Sequence, residues 1–294
     1  MKPYPKGDVR YVPSIPEQIE MLDDVTIDGM KTLHGKLYGM SNATISIVGD
    51  FDQAQTLKAL ETRFGTWKNP SPFVRIASDY LPNPAGGTKI ETPDKANSLM
   101  LTGINLKMND SSPEYPAMYI GNYLMGGGML NSRLAVRLRQ KDGISYGAGS
   151  QFSASSLDET GSFMAYAILA PENAGKAEAA ITEEINKVRN EGFTSEEFTK
   201  AKENIMQSRQ LSRSKDAELA GKLNGYLYLD RKMSYDAAFD EKLKATTLEE
   251  VNNAFRKYID PSKLTLVKAG DFEKKFAEKP AEEAAPAGKL SGAE

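Results

Sequence analysis

The chain has 294 residues, 40% of them apolar, with 37 basic against 40 acidic side chains and a net charge of -3. That length fills one large or two ordinary domains, and the near-neutral balance argues against nucleic acid or an anionic membrane as a partner. Zero cysteine removes disulfides and cysteine-bound metal, and a single histidine, His34, excludes a zinc site made of two or three histidines from one copy. No apolar run approaches the roughly 20 residues that cross a bilayer. The opening MKPYPKGDVRYVP lacks the apolar core of a signal peptide, so an export signal is expected only upstream of it.

In chain order, the apolar spacing predicts mixed α/β structure with long helices and short strands. A proline-rich lead-in precedes helices near 16–22 and 27–38, a strand over NATISIVGD (42–50) and a helix near 52–64. The Pro, Asn and Gly content of TWKNPSPFVRIASDYLPNPAG (66–86) reads as a linker. Strands follow near 87–92 and 97–107, then helices near 113–124 and 130–141, then paired strands near 146–156 and 160–169. A helix over 172–190 and a long one from Thr194, whose TSEE offers a capping box, lead to helices near 234–244 and 247–259. The last strand is KLTLVKAGD, and the tail after it, poor in large apolar residues, is expected to be disordered.

One internal relation constrains the domain organisation. At an offset of 221 residues, TIDGMKTLHGKLYGMSNATISIVGDF (26–51) falls on TLEEVNNAFRKYIDPSKLTLVKAGDF (247–272) with seven identities, Gly-Asp-Phe ending both. Both spell a capped helix, a turn and a strand, as a repeat would. If 87–273 is a complete copy, the first copy lacks its beginning, so Met1 need not be a natural start. The expected division is 1–66, the end of a preceding homologous domain; 67–86, a linker; 87–273, a complete domain; and 274–294, the tail.

Among candidate sites, His34 has no nucleophile motif around it and reads as a surface or packing residue. The triple glycine 126–128 follows an apolar helix rather than a strand, and no Lys-Ser/Thr follows it. A turn between two helices suits it better than a phosphate loop. Arg133, Arg137, Arg139 and Lys141 lie on the next helix, where Arg139 is rotated about 200° from Arg137, so the four do not form one patch. Asp142-Gly143 ends that helix and Tyr146 opens the next strand, which lets Arg139 and Tyr146 project toward one point. Such a pair can hydrogen-bond a peptide carbonyl or a developing oxyanion. An arginine in a surface ion pair and a tyrosine in a sheet remain the plain alternative.

The order GGGMLNSRLAVRLRQKDGISY, after an apolar helix and before paired strands, resembles the C-terminal half of the pitrilysin and insulinase zinc metallopeptidases, the inverzincins. The resemblance covers about 10–273. It implies an α+β fold of two-layer domains, with helices packed on a mixed, largely antiparallel sheet, one domain complete and the end of another before it. Family enzymes close two bowl-like halves over an unfolded peptide; one half carries His-x-x-Glu-His and zinc, the other an arginine and a tyrosine. Arg139 and Tyr146 match that pair, which implies that Tyr146 meets the scissile carbonyl and Arg139 the substrate backbone, with Gly126, Gly127 and Ser132 shaping the turn. His-x-x-Glu-His is missing here, so the resemblance implies zinc only on a partner half and none bound by this chain. The expected function is the substrate-binding, non-zinc half of a zinc endopeptidase, inactive alone, with a peptide substrate and a bacterial periplasmic or envelope location. The alternative is a non-catalytic peptide-binding or assembly module of the same fold.

Overall fold

The computed structural model describes residues 4–273. The expected tail, 274–294, lies outside the described residues. Among them the chain forms α1 (Ile15–Asp23), α2 (Ile27–Leu37), α3 (Gln53–Phe64), β1 (Gly86–Glu91), β2 (Ser98–Leu106), α4 (Tyr115–Asn122) and the single turn α5 (Arg133–Ala135). Then come β3 (Ser145–Ala154), β4 (Gly161–Leu169), α6 (Ala174–Glu191), α7 (Ser195–Arg213), α8 (Asp216–Tyr228), α9 (Met233–Ala245), α10 (Leu248–Tyr258) and β5 (Thr265–Gly270).

The strands make one sheet in the order β1-β5-β2-β4-β3, parallel only between β1 and β5. This is the mixed, largely antiparallel α+β architecture expected. Alternation along each strand decides which side is covered. Met100 and Leu106 of β2 and Phe163, Ala165, Ala167 and Leu169 of β4 point into the helical layer and are at most 3% exposed. The alanines let α6 approach closely through Ala177, Ile181, Ile185 and Val188, all buried. Phe255 of α10 meets Phe163 and Phe193 edge to face, at 6.1 and 5.5 Å between ring centres. Among the described residues no helix packs closely on the other face of the sheet, which leaves Leu99 and Ile168 about 40% exposed.

Cap chemistry sets the helix starts. Thr26, Thr194 and Thr247 accept hydrogen bonds from the amides of Gly29, Glu197 and Glu250, and the last two are reciprocal capping boxes. Three expectations change. The helix from Thr194 breaks at Ser214-Lys215 into α7 and α8. The helix expected near 130–141 is a short tight turn, one α-turn and a π-helical stretch, Val136–Lys141.

The third change concerns NATISIVGD, which pairs with no strand among the described residues, and α1, α2 and α3 contain no buried residue. A strand needs a ladder for its amides and carbonyls, and no neighbouring strand reaches this one. Its counterpart in the repeat, β5, lies between β1 and β2. Val251, Ala254 and Ile259 of the second copy are at most 3% exposed, whereas the matching Met30, Leu33 and Tyr38 are 56–58% exposed. His34 stacks on Tyr38 at 5.0 Å and on Trp67 at 5.8 Å, a packing role as its sequence context suggests.

Candidate functional site

α4 does not stop at Asn122 but widens into a π-helical turn, Tyr123–Gly127. Extra residues in a helical turn push its end outward, and here the end is pressed onto β3. A β-carbon at Gly127 would lie 2.7 Å from the Asn122 side-chain amide, so a side chain there would have to displace that amide. Ser150 of β3 donates to Asn122 Oδ1 at 2.8 Å and fastens strand to helix. Met129 follows with φ of 54°, a strained value for a side chain of that size, and is 79% exposed. Ser132 is buried, and its hydroxyl donates to the Met129 carbonyl at 2.7 Å. Its role is to close the turn from inside. Gly126, Gly127 and Ser132 all lie in this connection between α4 and α5.

The four basic residues divide into two kinds. Arg133 makes a bidentate pair with Glu197, both bonds 2.8 Å, and lies over the Phe193 ring. Burial by itself would raise the Glu197 carboxyl; the hydrogen bonds from Arg133 and the Thr194 amide outweigh it and hold the group below the usual carboxylate range. Arg137 bridges Asp142 and Glu183 at 2.8 and 2.9 Å. Arg139 and Lys141 are exposed and make no hydrogen bond or ion pair among the described residues. Two of the four are held in ion pairs and two are not, in keeping with four side chains that do not form one patch.

Tyr146 sits on an irregularity that sequence reading missed. Ser145 pairs with Leu169 and Gly147 with Ile168, so Tyr146 is an extra residue, a β-bulge at the start of β3. The Ser145 hydroxyl stitches the bulge by reaching both the Gly147 and Ile168 carbonyls at 2.9 Å. A bulge re-aims the side chain it carries, and Tyr146 stands out 65% exposed with no partner among the described residues. The connection from Arg139 is short and fixed: Gly143 takes a left-handed φ of 64°, and the Ile144 amide donates to the Leu138 carbonyl at 3.0 Å. Arg139 and Tyr146 thus leave the same tight corner at one end of the sheet, without bonding to each other.

A polar cluster that the sequence did not announce lies on another side of the domain. Buried Asp236 of α9 accepts from Arg209 and Arg213 of α7 and from Lys222 and Tyr226 of α8, at 2.7–3.0 Å. Asp240 takes the second contacts of both arginines. Nearby, Arg231 grips Asp110 through two bonds of 2.6 and 2.9 Å. The cluster joins three helices and is fully paired. No zinc-binding set accompanies it: the sequence has one histidine and no cysteine, and among the described residues no group of three or more metal-ligating side chains comes together. Among the same residues no helix is long and apolar enough to cross a membrane.

Comparison with known proteins bears on the family and the fold. A family model described as the peptidase M16 inactive domain matches residues 24–205. No curated protein sequence matches the chain. Among solved structures, the peptidase M16 inactive domain from Pseudomonas fluorescens is 24% identical with a TM-score of 0.73, over 90% of this chain and 61% of that one. A protease from Helicobacter pylori is 16% identical with a TM-score of 0.71, over 86% of this chain and 60% of that one. The periplasmic protease PqqL from Escherichia coli is 19% identical with a TM-score of 0.54, over 76% of this chain and 24% of that one. These likenesses establish the fold, and this chain spans about three fifths of the first two. With most of its length matched by one family model, the chain belongs to the family of peptidase M16 inactive domains, the C-terminal half of an M16 protein.

Proposed function

We propose that this chain is the substrate-binding, non-zinc half of a zinc endopeptidase, acting when closed against a zinc-bearing half. One contrast carries the reading: Arg133 and Arg137 are tied into ion pairs, whereas Arg139 and Tyr146, at the same corner, are exposed and unbonded. The Tyr146 hydroxyl donates to the scissile carbonyl oxygen as negative charge grows there, and Arg139 donates to a neighbouring substrate carbonyl. The metal, the attacking water and the general base belong to the partner half, because this chain lacks the donor set for them.

The first 66 residues support a partner of that kind. The side chains that the repeat aligns with buried core positions, Met30, Leu33 and Tyr38, are 56–58% exposed here, the kind of apolar face that marks an interaction surface. In this reading 1–66 ends a preceding homologous domain, 67–86 links it to the complete domain 87–273, and strands from the zinc-bearing half flank the segment 43–49. A periplasmic location follows the same proposal, by likeness to an enzyme of that compartment. The deciding experiment mixes the chain with its zinc-bearing half: chelator-sensitive peptide cleavage is expected, and none from the chain alone. Assembly of the two halves without cleavage would instead favour a non-catalytic module.

A further inference from the structure

The open face of the sheet is not flat. Gly103 of β2, paired with Met164 of β4 and Thr265 of β5, leaves a hollow where other residues would project a side chain. The gap is obligatory, since a β-carbon there would lie 2.7 Å from the Phe163 carbonyl oxygen. Residues 81–83 of the linker wall one side. Asn83 donates to the Gly103 carbonyl at 3.1 Å and to Thr265 Oγ1 at 2.6 Å, and accepts from the Asn105 amide at 2.7 Å. The β3–β4 hairpin walls the other side through Ser153 and Ser162, hydrogen-bonded at 3.0 Å. The groove encloses about 820 Å³.

Its chemistry is selective. Among the described residues one charged side chain lines it, Asp79, which is paired with Arg10 at 3.0 Å, and Leu101, Met164 and Val267 give it an apolar floor. A charged ligand would lose its hydration without gaining a counter-charge. The floor also continues beyond the hollow. Alternate positions along β4, Met164, Tyr166 and Ile168, share the open face, and Ile168 pairs beside the bulge that carries Tyr146. Side chains on one face of an extended peptide recur about every 6.7 Å, the same repeat as these rows.

We propose that this groove is a subsite for an extended peptide and takes an uncharged, apolar side chain roughly four residues, about 13 Å, from the carbonyl held at Tyr146. Only the register rests on the proposed role of Tyr146; the groove's preference does not.

The test measures binding of labelled, end-capped peptides of about nine residues to the isolated chain by fluorescence anisotropy. One peptide carries leucine at alternate positions with serine and threonine between, and its control carries glutamate or lysine in place of leucine. The leucine peptide should bind, and the control at least about tenfold more weakly. Met164→Lys, which puts a charge on the floor, and Ser162→Phe, which fills the hollow, should each weaken the leucine peptide at least about tenfold. Both side chains lie on the open face of the sheet, and an unchanged Tm verifies folding. Equal binding of the two peptides, no binding of either, or wild-type affinity in both folded variants overturns the groove. A wild-type cleavage rate for Tyr146→Phe in the assembled enzyme overturns the role of Tyr146 instead, a separate result that leaves these affinities standing.

Discussion

A β-carbon placed on Gly126 would lie 2.1 Å from the Ser150 amide nitrogen, so the turn after α4 rests directly on β3 with no room for a side chain between them. The contact fixes the glycine turn against the same strand that presents Tyr146. Gly126→Ala is therefore expected to push turn and strand apart at a cost of about 1–3 kcal/mol, read as a lowered midpoint in urea unfolding. Cleavage in the assembled enzyme should fall further than the stability loss alone would explain. An unaltered midpoint would show that the turn can yield.

Arg139 and Tyr146 make the opposite case, because neither side chain supports the fold. Tyr146→Phe and Arg139→Ala should each change stability by less than about 0.5 kcal/mol. In the assembled peptidase Tyr146→Phe should lower kcat roughly 10²-fold, the scale for losing one oxyanion donor. Arg133→Ala should reverse the pattern and destabilise the domain by leaving Glu197 half-buried without its bidentate partner.

Acid should loosen the join of α7, α8 and α9. Burial works against ionisation of Asp236, but hydrogen bonds from Lys222, Arg213 and Tyr226 and the charge of Arg209 hold its carboxyl well below the ordinary value. A carboxyl lowered on folding contributes stability above its unfolded pKa of about 3.9, and that contribution is lost as pH falls through the lower folded value. Asp236→Asn should cost about 3 kcal/mol at neutral pH and flatten the decline in stability from about pH 5 downward. Urea midpoints of both proteins across that range check the sign.

The two copies of the repeated helix, α2 and α10, should respond differently. Phe255→Ala removes a fully buried ring and should cost about 3–5 kcal/mol in the isolated chain. Leu33→Asp, on the exposed face of α2, should cost less than about 0.5 kcal/mol there and yet block association with the zinc-bearing half. Hydrogen exchange offers a second measure: amides of 44–49 should exchange freely in the isolated chain and become protected once that half is added.

Much of the fold from β1 to β5 was legible because its signals are local. Thr194 with Glu197 and Thr247 with Glu250 start their helices by short-range hydrogen bonds, and β2 and β4 alternate in step with their burial. What stayed hidden depends on distant partners. Ile45 and Ile47 have strand-like spacing, but a strand forms only where another offers a ladder. The Asp236 cluster joins residues 10 to 27 positions apart on three helices, and no short window of sequence contains it. At the candidate site the residue types and their spacing were readable. The bulge was not, because one extra residue in β3 is visible only against the register of β4.

The bulge has a consequence for the rim of the sheet. β3 is an edge strand, and such an edge invites any passing strand to zip onto it. Here the zip is bounded at both ends: Tyr146 interrupts the ladder at one, and at the other Asn109 bridges Ser155, whose carbonyl the Asp110 amide occupies. Between these stops the turn at Gly126 presses on Gly149 and Ser150, both buried, so the rim is also covered midway. Stops at both ends and a cover in the middle deny two copies of the molecule a long seam along which to fuse.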